Sequence, residues 1–168
     1  MEQSTGITRS TAVAGPGRAA RRSRPWHRSL RHTSDLELEV GAPDLGSLLA
    51  EAARALAERL LVRPPTARGS HDPAPQASDA ETRDLVVSSN DAEALLVDWL
   101  NELLFVAEVD LWVPTELDVV EATDTMLRVR ARGVPIDVAP SKVKAATHHG
   151  LEIAERDGEL VAHVILDL

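Results

Sequence analysis

The chain has 168 residues, 43% hydrophobic and 27% charged, which suits one soluble globular domain plus some unstructured length. It has no cysteine, so disulfides, thiolate metal sites and a cysteine nucleophile are excluded together, and the composition fits a reducing cytoplasm. The formal charge is −9, yet residues 1–31 carry seven arginines and one acid, leaving 11 basic against 26 acidic residues in a body that repels phosphate backbones and suits a basic partner.

The first thirty residues are rich in Arg, Ser, Thr, Ala and Gly and show no apolar period, so residues 1–30 read as a disordered Arg-rich tail. An electrostatic arm for RNA and an organellar transit peptide are alternative readings of that composition, but an incidental extension upstream of the domain is the favoured one. No apolar stretch follows Arg21-Arg22, which argues against a twin-arginine export signal, and no apolar run reaches the roughly 18 residues of a membrane span.

From Asp35 to Val40, Leu36, Leu38 and Val40 alternate with Asp35, Glu37 and Glu39, the pattern of a half-buried strand. Asp44 then stands as N-cap to a helix whose stripe is Leu45, Leu48, Leu49, Ala52, Ala53, Leu56 and Leu60, stopped by Pro64-Pro65. Residues 63–80, with four prolines and several small residues, read as a flexible insertion. Glu81–Ser88 predicts a short strand, and Asn90 with Glu93 resembles a capping box. The helix it opens has the clearest period in the chain: Leu95, Leu96, Trp99, Leu100, Leu103, Leu104 and Ala107.

Leu117–Glu121 and Met126–Ala131 predict two strands joined by a turn. Lys142–Ala154 and Leu160–Leu166 predict a hairpin, because Asp157-Gly158 is a favoured pair for a type I′ turn. Helices separated from a run of strands give an α+β domain over residues 31–168, two helices packed on an antiparallel or mixed sheet, each burying one face. With so few aromatic residues (Trp26, Trp99, Phe105 and Trp112), Leu, Val, Ile and Ala must build the core.

The chain lacks a Walker A loop, Gly-x-Gly-x-x-Gly, Gly-x-Ser-x-Gly and His-Glu-x-x-His. What remains is sparse: Arg31–Asp35 before the first predicted strand, Lys142–Gly150 on a late one, and Ile165–Leu168. If the last strand runs antiparallel beside the first, Asp35 and Asp167 reach one edge, where two carboxylates and main-chain oxygens suit Ca²⁺ or Mg²⁺. An aspartate at a strand end is more often a solvated turn residue. His148 and His149 are adjacent, so on a regular strand they point to opposite faces, one packed and one exposed, and do not share a metal. His32 reads more simply as a hydrogen-bonding residue, and Lys144 as an exposed one. The pattern of residues leaves the function open.

Four segments carry a resemblance. His32-Thr33-Ser34-Asp35 looks like the His-Thr-Ala-Asp signature of the archease family. Leu95-Leu96-Val97-Asp98-Trp99-Leu100-Asn101-Glu102-Leu103-Leu104-Phe105 is similar to its most recognisable helix. Val143–Glu152 resembles its Val-Lys-Ala-x-Thr-x-His-Gly segment, and Ile165-Leu166-Asp167-Leu168 its ending. The segments occur in the family's order and span residues 32–168.

The resemblance implies an α+β fold. It also implies a small cytosolic protein that is not an enzyme, but promotes guanylylation and multiple turnover of an RtcB-type RNA ligase in tRNA splicing or RNA repair, touching RNA only indirectly. It further implies a divalent cation, commonly Ca²⁺, with Mg²⁺ or Mn²⁺ as alternatives, on Asp35, Asp167 and the main-chain oxygen of Leu168. His32, Lys144, Thr147 and His149 sit in matching motifs and are expected to support that cluster or touch the partner. The sequence departs from the pattern at Arg31 and Lys142, where the family commonly has acids, at His148 in place of an aromatic, and in the length of the 63–80 insertion. Two bases near the site would weaken its hold on a cation. Rival readings are a metal-dependent phosphoester hydrolase using Asp35, Asp167 and His149, and a chaperone or RNA-binding adaptor working through the tail.

Overall fold

The computed structural model describes residues 24–31, 35–61, 80–137 and 143–168. His32, Thr33, Ser34 and Lys142 lie outside the described residues, as do residues 1–23 and nearly all of the 63–80 segment.

The domain is α+β, with two antiparallel sheets and a layer of two helices touching both. Among the described residues, seven strands and two helices run in the order β1 (Trp26–Arg31), β2 (Asp35–Ala42), α1 (Leu45–Leu60), β3 (Glu81–Ser88), α2 (Ala92–Val109), β4 (Trp112–Thr123), β5 (Met126–Pro135), β6 (Ala145–Arg156) and β7 (Glu159–Asp167). One sheet has the order β1-β2-β7-β6, the other β3-β5-β4.

Strand β1 corrects the expected tail boundary at residue 30. Its register with β2 runs from Trp26↔Gly41 to Arg31↔Leu36. Composition concealed it because tertiary contacts hold it. The Trp26 ring lies over Gly41, where a Cβ would stand only 2.3 Å from the indole. His27 Nδ1 meets the buried Glu51 carboxylate of α1 at 2.8 Å. Arg28 pairs with Glu39 of β2.

Helix α1 begins where expected: Asp44 accepts a hydrogen bond from the Ser47 N–H at 2.8 Å, satisfying a donor that the helix leaves free. The start of α2 differs. Asp91, not Asn90, is the cap and accepts from the Ala94 N–H at 2.7 Å. Glu93 does not reach back to close a box; its Oε1 accepts from the Ile153 N–H of β6 at 3.1 Å.

The predicted stripe of α2 is fully buried, but Val97 and Val106 are buried too. A single buried face was expected. The extra burial follows from the layering, because α2 packs on α1, on β6 of one sheet and on β3 and β4 of the other. At about 1.5–3 kcal/mol per buried aliphatic side chain, this helix is a principal support of the core. Trp99, with no exposed surface, donates its indole N–H to the Leu49 carbonyl at 3.0 Å and joins the helices.

Strands β4 and β5 extend past their predicted ends. Edge strand β4 admits Pro114 beside a register shift, where a missing N–H costs no ladder bond. The β6–β7 turn is as expected: Asp157 and Gly158 both have positive φ, 53° and 82°, as a type I′ turn requires.

Candidate functional site

The site forms where the central pair of the four-stranded sheet ends. The β2–β7 register runs from Ala42↔Leu160 to Asp35↔Asp167, so the two aspartates are direct cross-strand neighbours. Residues directly opposite in an antiparallel pair project to the same face, with Cβ atoms about 4.5–5.5 Å apart. Asp35 is half-buried and Asp167 exposed.

Strand β6 adds the third side. Ala145 stands opposite Asp167, and the Lys144 N–H donates to the Asp167 carbonyl at 2.8 Å. The Lys144 ammonium then donates to the Leu168 carbonyl at 2.6 Å. Four of the expected site residues, Asp35, Lys144, Asp167 and Leu168, therefore meet at one rim.

This donor set contains only oxygen: two facing carboxylates and one main-chain oxygen of Leu168. Its chemistry fits a hard divalent cation, with water completing a shell of six or more. Unbridged, two carboxylates opposite each other repel. Lys144 already bonds the Leu168 carbonyl, so an ion using that oxygen would share it with the ammonium or displace it. Among the described residues, no group of three or more His, Cys, Asp or Glu is placed to hold a metal ion.

The other expected residues are less central. Thr147 lies two positions along β6, opposite Ile165; its hydroxyl oxygen is buried and has no hydrogen-bond partner among the described residues. His148, His149 and Gly150 fall where the β6–β7 register breaks between Thr147 and Glu152, and Gly150 has a φ of 64°. Both histidines are exposed, which corrects the expected packed-and-exposed pair: the irregularity removes the alternation on which that reading relied. His149 forms no metal-holding group with Asp35 and Asp167.

Two features were missed. From Asp35 the acidic face of β2 continues through Glu37 to Glu39, and His163 of β7 lies between them. Its Nδ1 is 3.3 Å from Glu37 and its Nε2 3.4 Å from Glu39. The alternation of acids in β2 was visible in the sequence; the histidine opposite them was not.

The second is Asn101 of α2. Its carboxamide donates to the Ala146 carbonyl at 3.1 Å and accepts from the Ala146 N–H at 2.8 Å. β6 is an edge strand, and one amide side chain here replaces the peptide group of a missing neighbour. That fixes the chain one residue from Ala145, which faces Asp167.

Residues 27–168 match the family described as the Archease protein family (MTH1598/TM1083). The protein archease of Methanopyrus kandleri is 32% identical over 152 residues, covering 86% of this chain and 99% of its own length. Its counterpart in Methanosarcina barkeri is 29% identical over 147 residues, covering 83% and 93%. Among solved structures, the solution structure of Methanobacterium thermoautotrophicum protein 1598 is similar with a TM-score of 0.58 at 27% identity, covering 84% of this chain and 98% of its own. The crystal structure of an archease, described as a possible chaperone, from Thermotoga maritima has a TM-score of 0.56 at 19% identity, covering 84% and 96%, a likeness of fold.

Proposed function

The chain belongs to the archease family, and from that premise we propose that it is a non-catalytic protein cofactor of an RtcB-type RNA ligase in the cytoplasm. It promotes guanylylation of the ligase and allows multiple turnover in tRNA splicing or RNA repair, and it meets RNA only through its partner. The observation that carries the reading to particular residues is the Asp35↔Asp167 register.

In this reading the rim holds a divalent cation, Ca²⁺ first among the candidates and Mg²⁺ or Mn²⁺ after it. Asp35 and Asp167 supply carboxylates and Leu168 a carbonyl oxygen. Such an ion supplies positive charge between two carboxylates that otherwise repel. Lys144 holds the end of β6 against β7 through its N–H to the Asp167 carbonyl. The acidic rim docks near the ligase site and favours the conformation in which the ligase accepts the guanylyl group. An activator works in this way only through differential binding: a 100-fold gain needs about 2.7 kcal/mol between the two states of its target.

The test uses purified full-length chain and its cognate ligase under multiple-turnover conditions. Wild-type chain turns a single round of ligation into many, and Asp35→Ala loses most of that effect while remaining folded. Absence of stimulation by folded wild-type chain overturns the reading. A chelator that leaves stimulation intact removes the cation from it.

A further inference from the structure

Helix α2 touches the edge strand β6 at two points through polar side chains. Glu93 accepts from the Ile153 N–H, and Asn101 pairs with both backbone groups of Ala146. As α2 advances from 93 to 101, β6 therefore retreats from 153 to 146. The next helical turn, one residue to every 1.5 Å, continues toward residues 143–145, the end of β6 that builds the rim with Asp35 and Asp167.

On that turn and the one after it stand Phe105 and Val109, four residues apart on one helical face, 57% and 60% exposed. Phe105 is the chain's only phenylalanine. In a helix whose other large apolar side chains are buried, this pair is out of keeping with the core it belongs to.

The helix itself carries one sign of charge. α2 contains Glu93, Asp98, Glu102 and Glu108 and has no Lys or Arg. Glu108 lies in the last turn, where the helix dipole already presents its negative end, an arrangement that costs stability and that a cation outside the helix would relieve. Asp110, just beyond, is paired with Arg83 at 2.9 Å.

We infer that Phe105 and Val109 are the apolar anchor of a docking surface on the C-terminal half of α2, and that its occupant is a protein surface with an apolar pocket bordered by basic residues. An aromatic side chain seated in a pocket supplies affinity, while acids around it set the orientation of a cationic partner. Under the proposed function that occupant is the ligase, and the inference rests on that reading. It assigns different tasks to the two places: α2 holds the partner, and the rim acts on it.

The experiment measures ligase stimulation as a function of chain concentration, with binding to the ligase titrated directly by calorimetry. Phe105→Asp raises the half-saturating concentration at least tenfold and weakens binding equally, while the plateau of stimulation and the thermal midpoint stay near wild type. Phe105→Leu, which restores an apolar knob, recovers most of the affinity. Asp35→Ala lowers the plateau instead. Should Phe105→Asp unfold, Phe105→Ala at the same exposed position replaces it.

Phe105 variants that bind and stimulate like wild type overturn the inference and leave the proposed function standing. A wild-type chain that neither binds nor stimulates the ligase overturns both. Sedimentation that finds a dimer dispersed by Phe105→Asp, with ligase affinity unchanged, assigns the patch to a second copy and overturns the inference too.

Discussion

Asp35 begins β2 and Asp167 ends β7, and the two face each other as the terminal pair of the antiparallel ladder between those strands. Their mutual repulsion is the handle for a test. Without divalent cations, Asp35→Asn removes one of two like charges and raises stability by about 0.5 kcal/mol. With Ca²⁺ at about 100 times its dissociation constant, wild-type chain gains about 2.7 kcal/mol, whereas Asp35→Asn gains far less. Thermal unfolding in chelator and in excess Ca²⁺ measures both effects. An equal response of the two proteins to Ca²⁺ removes Asp35 from the site.

Gly133 lies on β5 against Trp112 and the backbone of β4. A Cβ there would stand 2.4 Å from the Val113 carbonyl oxygen and 2.5 Å from the Trp112 ring, which is 1% exposed. Neither neighbour is a flexible tip that can swing aside. Gly133→Ala therefore destabilises the domain by about 1–3 kcal/mol through overpacking, read from urea midpoints. Wild-type stability in that variant would mean that the two strands separate at little cost.

Trp99 joins the two helices by packing and by one hydrogen bond, and two substitutions separate these contributions. Trp99→Phe keeps most of the ring and loses the bond to the Leu49 carbonyl, costing about 1 kcal/mol. Trp99→Ala empties a fully buried site and costs about 3–5 kcal/mol. Chemical denaturation of both proteins checks the order; equal losses would assign the whole effect to the hydrogen bond.

Asn101→Ala strips both partners from the Ala146 backbone at the edge of β6. Hydrogen exchange at the Ala146 and Lys144 amides accelerates by about tenfold or more, equivalent to about 1.4 kcal/mol of lost local protection. Amides of the β4–β5 ladder keep their rates. Uniform acceleration across both sheets would show that Asn101 supports the fold at large rather than the rim.

Much of this architecture was legible because it is written in local periods. The stripe of α2 named its buried face, the alternation in β2 named its two sides, and Asp157-Gly158 named its turn. Each depends on residues within a few positions of one another. Strand β1 was not legible, since a tryptophan over a glycine, a histidine on a helix glutamate and an arginine on a strand glutamate come from three separate elements. The cap of α2 was misplaced by one residue because Asn90 and Asp91 are both good caps, and only the path of the chain selected Asp91.

The candidate site divides in the same way. Sequence by itself settled the family, through four short segments in order, and with it the identity of the carboxylates worth following. It could not settle that Asp35 and Asp167 are cross-strand neighbours, that Lys144 reaches the Leu168 carbonyl, or that Asn101 closes the edge beside them. Those depend on which strands lie side by side, and strand order follows from packing two sheets around a shared helical layer. Local propensity is fixed over a few residues; adjacency is decided only when the whole chain buries its apolar surface at once.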